Sequence, residues 1–123
     1  MLSKQVFAQI EALQPSIAPP LRHMMQLAKQ VADPDLLELC TGYIDAALRL
    51  ENWTPPYSPL TDKERAFIAF TEQFVTSVGT MKDEQVQDLL MFASADEVYA
   101  FVNSIYVTDM AKRLELVAAK VLP

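Results

Sequence analysis

Glycine is nearly missing, with two residues in a chain of 123, and there is one cysteine, one histidine and one tryptophan. Scarce glycine beside eight prolines is the composition of an all-helical protein jointed at its prolines, since glycine weakens helices and proline is tolerated in first turns and connectors. A single cysteine, Cys40, excludes an internal disulfide and fits a reducing compartment. With one histidine, a multi-histidine metal site is excluded; no spacing suggests a metal, and no cofactor is expected. Positive charge is the minority, 10 Lys and Arg against 16 Asp and Glu, for a net charge of -6. That balance argues against binding nucleic acid or an anionic membrane surface. No apolar run approaches the roughly 18 residues of a spanning helix, and the N-terminus lacks a basic start before an apolar core. The expectation is a cytoplasmic protein.

What is present is 51% hydrophobic residues, enough for one domain to bury a core without disulfides. Three segments carry helix-start boxes, a hydroxyl followed three residues later by a carboxylate: Thr61 with Glu64, Thr80 with Asp83, and Ser94 with Glu97. The hydroxyl accepts a free N–H of the first turn while the carboxylate reaches back, so each box predicts where a helix begins.

In chain order, Ser3 caps a first helix over residues 4 to 13, and Pro15 ends it. After a joint at 16 to 20, Leu21, Met24, Leu27, Ala28 and Val31 form a second stripe. Asp33-Pro34 then supplies a cap and a proline at the first helical position. The third helix, about 34 to 51, sets Leu36, Cys40, Tyr43, Ala47 and Leu50 on an apolar line opposite Glu38, Thr41, Asp45 and Arg49. Gly42 in its middle predicts the close approach of another backbone.

Residues 52 to 59 (NWTPPYSP) form a stiff connector carrying Trp53 and Tyr57, which either cover a cleft or pack the connector onto the core. The fourth helix, about 62 to 78, has an apolar face of Phe67, Phe70, Phe74 and Val78, with Ile68 and Val75 off to one side. A face that wide predicts a central helix or a subunit interface. The fifth helix covers about 81 to 93 and the sixth about 95 to 121.

The segments Pro59-Leu60-Thr61-Asp62-Lys63-Glu64-Arg65-Ala66, Asp83-Glu84-Gln85-Val86, Phe92-Ala93-Ser94-Ala95-Asp96-Glu97-Val98 and a late Arg113-Leu114 resemble the alkylhydroperoxidase D-like family, which includes the carboxymuconolactone decarboxylases. The resemblance covers the C-terminal half. It implies a bundle of about six helices assembled as a homo-oligomer, a trimer or hexamer. The peroxidase branch of the family uses a Glu, a Cys-x-x-Cys and a His four residues after the second Cys. Here Cys40 is followed by Tyr43 where the second Cys would stand and by Ala47 where the His would. A second register, matching Glu38-Leu39 to the family's Glu-Leu, sets Leu50 and Trp53 at the two Cys positions. Neither register keeps a dithiol, so two-cysteine peroxidase chemistry is not expected.

Two candidate sites follow. Cys40 is either a packing residue or a nucleophile whose base comes from another helix, and His23 is the one histidine available. On the sixth helix, Asp109 and Arg113 fall within the apolar face at 100° per residue, so the pair is expected to be buried and bonded. Either it is structural, or Arg113 anchors a small organic acid in a pocket lined by Tyr99, Tyr106 and Tyr43, with Asp109 orienting it. The expected function is that of a divergent family member without the dithiol that binds such an acid. The alternatives are a single-thiol peroxidase or decarboxylase-like enzyme using Cys40, and a non-catalytic interaction module.

Overall fold

The computed structural model describes residues 2–122. Six α-helices follow one another: α1 (Lys4–Leu13), α2 (Ala18–Leu27), α3 (Pro34–Leu48), α4 (Asp62–Ser77), α5 (Asp83–Leu90) and α6 (Ala95–Val121), with a 3-10 turn (Val78–Thr80) after α4. No strand occurs among the described residues. Four starts are capped as the sequence predicts. The Ser3 hydroxyl accepts the Val6 N–H at 3.2 Å, and the Asp33 carboxylate accepts that of Leu36 at 3.1 Å ahead of Pro34. Thr61 with Glu64 and Ser94 with Glu97 each make both bonds of the capping box.

The Thr80 box does not form. Thr80 belongs to the 3-10 turn, where its hydroxyl bonds to Ser77 and accepts from Gln73. α5 starts instead after Lys82, whose N–H is taken by the Gln85 side chain at 3.0 Å, and it stops at Leu90, short of the expected 93.

The core is one cluster drawn from four helices: Leu36, Cys40 and Ile44 of α3, Phe67 and Phe70 of α4, Leu89 of α5, and Val98, Phe101 and Ile105 of α6. Phe67 and Phe101 meet edge to face with centroids 4.8 Å apart, a favoured aromatic geometry. α1 and α2 pack on each other and on α6, outside that cluster. No helix is long and apolar enough to cross a membrane among the described residues.

α3 departs from the expected line. Ile44 is fully buried while Tyr43 is only half-buried, and the helix ends at Leu48. Leu50 takes a left-handed φ of 58° and is 95% exposed. The Glu51 N–H reaches the Ala46 carbonyl at 2.9 Å and the Leu50 N–H that of Ala47 at 3.2 Å. These are the two bonds of a Schellman end, with leucine where glycine is usual. Gly42 meets a side chain rather than a backbone, since a Cβ there would lie 3.4 Å from Trp53 Nε1.

Candidate functional site

One face of α3 carries Asp35, Glu38, Gly42 and Asp45, spaced by three and four residues and therefore adjacent on the helix surface. The connector after α3 runs back over this face. Between them lies an open cleft of about 840 Å³, lined by those α3 residues, by Trp53, Thr54 and Tyr57 of the connector, and by Lys112 of α6. Of the two readings of the aromatic connector, the structure gives both: it packs down and it walls a cleft.

Two anchors hold the connector. Trp53 sits on the bare backbone of Gly42 and meets Tyr43 edge to face with centroids 5.7 Å apart. Tyr57 donates its hydroxyl to Glu64, the capping-box carboxylate of α4. That hydroxyl, followed by the Thr61 N–H, holds the Glu64 carboxyl below its ordinary range. Lys63 of α4 reaches Asp33, the cap of α3, at 3.4 Å.

The electrostatics of the cleft are asymmetric. Lys112 Nζ and Arg49 Nε donate to Asp45 Oδ1 at 3.2 and 3.3 Å. Partial burial works to raise the Asp45 pKa, and the bonds and charges of Lys112 and Arg49 outweigh it, so its carboxyl lies below its usual range. Asp35 and Glu38 make no ion pair among the described residues. The free charge on the wall is thus negative. No three His, Cys, Asp or Glu side chains among the described residues are grouped so as to hold a metal ion.

Cys40 lies in the core with 0% exposure. Burial pushes its thiol up to about 11; the neighbouring Thr71 hydroxyl opposes this in part, and the charges of Asp33 and Glu64 add to it. At neutral pH the sulfur is a protonated thiol, the unreactive form. His23 is exposed on α2 and is not among the groups acting on that thiol.

The other predicted residues fall in three places. Tyr43 belongs to the Trp53 contact, and its phenol is raised by partial burial and then by the charge of Glu72. Tyr99 and Tyr106 line a groove of about 450 Å³ between α2 and α6, together with Asn103. Arg113 Nε donates to both oxygens of Asp109 at 3.0 Å, and its Nη2 to the Val75 carbonyl at 3.4 Å. The pair is bonded as expected but is not buried as a unit. The Asp109 side chain is 16% exposed and that of Arg113 is 52% exposed, so the pair straddles the edge of the apolar face. Arg113, Tyr99 and Tyr106 share a face of α6, whereas Tyr43 lies elsewhere.

Only the acidic wall of the cleft was not foreseen, because α3's carboxylates have the spacing of an ordinary solvated face. The available signal was the conjunction of that face with a glycine in its midst and two aromatics on the stiff connector that follows. Comparison with protein-family models, curated proteins and solved structures found no match to this chain.

Proposed function

We propose that the chain is a divergent alkylhydroperoxidase D-like protein that has lost the peroxidase dithiol and uses the cleft beneath its connector to bind a small organic cation. One observation carries the reading: Glu38, Trp53 and Tyr57 line the same cleft. In the register that matches Glu38-Leu39 to the family's Glu-Leu, Trp53 stands at the second Cys position. Tyr57, four residues later, stands at that of the His. Three of the four positions of the family's reactive motif therefore line one cavity here, with side chains that cannot run its thiol cycle. The fourth, Leu50, points its side chain into solvent. Cys40 offers no substitute, because a buried thiol raised to about 11 is neither accessible nor ionised.

The ligand follows from charge. Asp35 and Glu38, without an ion pair among the described residues, line the same cleft as the Trp53 indole, a combination suited to a protonated amine on an apolar body. An organic acid anchored by Arg113 has less support, since Asp109 and the Val75 carbonyl engage that guanidinium and it lies outside the cleft. Assembly as a trimer or hexamer remains part of the proposal, supported by the apolar side chains left exposed on α6.

Titration calorimetry and thermal shift against organic amines, with carboxylates of matching carbon skeleton as the comparison, test the reading. Amines should raise the Tm, as a ligand of the folded state does, and their affinity should fall with added salt. Glu38→Gln should weaken binding roughly fivefold to tenfold, about 1 to 1.4 kcal/mol. Arg113→Met should leave it unchanged. Binding of carboxylates that is lost in Arg113→Met would return the organic-acid reading, and no binding of either class would end the ligand proposal.

A further inference from the structure

Charge is ordered along the cleft beneath the connector. Asp35 and Glu38 stand toward the N-terminal end of α3, Gly42 in the middle, and Asp45, bonded to Lys112, at the far end. The connector passes these levels in reverse. Trp53 lies on Gly42, its Nε1 3.4 Å from where a Cβ would stand. Tyr57 reaches the acidic end: its bond to Glu64 raises its phenol most, and the charges of Asp35 and Asp33 add to this. A carboxylate pair, an indole and an ammonium group therefore follow one another along one open cavity of about 840 Å³.

The Lys112 end is positive. Asp45 accepts from Lys112 Nζ at 3.2 Å and from Arg49 Nε at 3.3 Å, and one carboxylate against two cations leaves positive charge in excess. Arg49 borders only a neighbouring recess, with Glu115, whereas Lys112 lines the cleft as well. Its side chain is 21% exposed. An ammonium group has three donors, and among the described residues Lys112 gives one to Asp45.

We infer that the cleft takes a ligand charged at both ends, an ω-amino carboxylate whose ammonium group meets Asp35 and Glu38, whose carboxylate meets Lys112, and whose methylene chain lies along the Trp53 indole. The inference rests on the amine-binding reading above and names the class of its ligand. Charge fixes the orientation. The reversed ligand would set its carboxylate against Asp35 and Glu38, which make no ion pair among the described residues. Its ammonium group would meet the excess positive charge beside Asp45. The indole between the two ends suits methylenes, which gain by leaving water.

Spacing decides against α-amino acids. By the helical rise, the levels of Glu38 and Asp45 are about 10.5 Å apart. Charge-assisted hydrogen bonds of about 2.8 Å at either end leave roughly 5 to 10 Å for the ligand, less if they lie along the helix axis and more if they lie across it. An extended carbon chain advances about 1.25 Å per bond, given bonds of about 1.5 Å meeting at about 111°. An α-amino acid separates its nitrogen from its carboxyl carbon by only about 2.5 Å on that scale, so it reaches one end alone. Chains from 4-aminobutanoate to 8-aminooctanoate cover the gap, with 6-aminohexanoate in the middle.

Titration calorimetry with 6-aminohexanoate, hexylamine and 2-aminohexanoate tests the inference. Hexylamine lacks the carboxylate, and 2-aminohexanoate is an isomer with its charges side by side. 6-Aminohexanoate should bind roughly fivefold to tenfold more tightly than hexylamine, and 2-aminohexanoate more weakly than either. Affinity should peak within the series from 4-aminobutanoate to 8-aminooctanoate. Lys112→Met should abolish the advantage of 6-aminohexanoate while hexylamine binds at least as tightly as before. Glu38→Gln should weaken both ligands and preserve the ratio between them. The wild-type ligand series needs no variant, so it decides the matter even if Lys112→Met fails to fold. Hexylamine or 2-aminohexanoate bound as tightly as 6-aminohexanoate overturns the two-ended ligand and leaves the amine reading standing, as does an advantage that survives in Lys112→Met. Absence of binding by all three, or hexanoate bound as tightly as 6-aminohexanoate, overturns the amine reading as well.

Discussion

Leu50 and Cys40 show how far a residue's identity can be from its setting. A left-handed leucine costs about 1 to 2 kcal/mol relative to glycine, partly offset because glycine loses more freedom on folding. Leu50 makes no compensating burial, being 95% exposed. Leu50→Gly should therefore stabilise the protein by about 0.5 to 1 kcal/mol, seen as a higher urea midpoint with an unchanged slope. Cys40 predicts a pH dependence. Its thiol is pushed from an ordinary value of 9.0 up to about 11 by burial, so the folded state holds its proton over a range where the unfolded state has lost it. The contribution, about 2 to 3 kcal/mol, is complete below pH 9 and is lost as the pH rises through about 11. Urea midpoints should fall over that range. In Cys40→Ala the stability should start about 1 kcal/mol lower from the small cavity and the midpoints should fall less steeply with pH, with the raised phenol of Tyr43 supplying part of what slope remains.

At the scale of elements, the helices divide into a core set and an applied pair. α3, α4, α5 and α6 supply every residue of the central cluster, and α1 and α2 supply none. α1 buries only Val6 among its ten residues, and α2 only Ala18 and Leu21. Partly buried Phe7, Ile10, Met24 and Met25 add to this, and exposed polar ties include Arg22 bonded to Glu11 at 3.5 Å and stacked over Phe7, and the Ser3 N–H bonded to Glu115 at 3.0 Å. Surface ion pairs contribute little, so α1 and α2 are expected to open before the rest unfolds. Native-state hydrogen exchange should find their amides protected less than those of α3 and α6, through openings that do not expose Cys40 to alkylation. Simultaneous loss of protection in all six helices would show that the pair is as firmly held as the core.

For the whole molecule, the connector between α3 and α4 matters most, because it turns an unremarkable acidic helix face into a walled cleft. Along its course Trp53 lies against Gly42, and Glu64 serves both as helix cap and as acceptor for Tyr57. The sequence alone determined the all-helical class, the four capped starts at Ser3, Asp33, Thr61 and Ser94, and the span of α6. Each rests on groups within one turn of each other, where N–H satisfaction and apolar spacing are local matters. It misjudged the Thr80 box, because Ser77 and Gln73 compete for that hydroxyl once α4 ends in a 3-10 turn. It also ran Leu50 along the apolar line, because a helix can end on a left-handed leucine as well as on glycine. Only the tertiary structure decided that Cys40 sits in the buried core while His23 is exposed, that Arg113 lies at the edge of its face, and that Asp35, Glu38, Trp53, Tyr57 and Lys112 share one cavity. Those residues come from three segments, and what brings them together is the packing of α3 against α4 and α6, which no local pattern encodes.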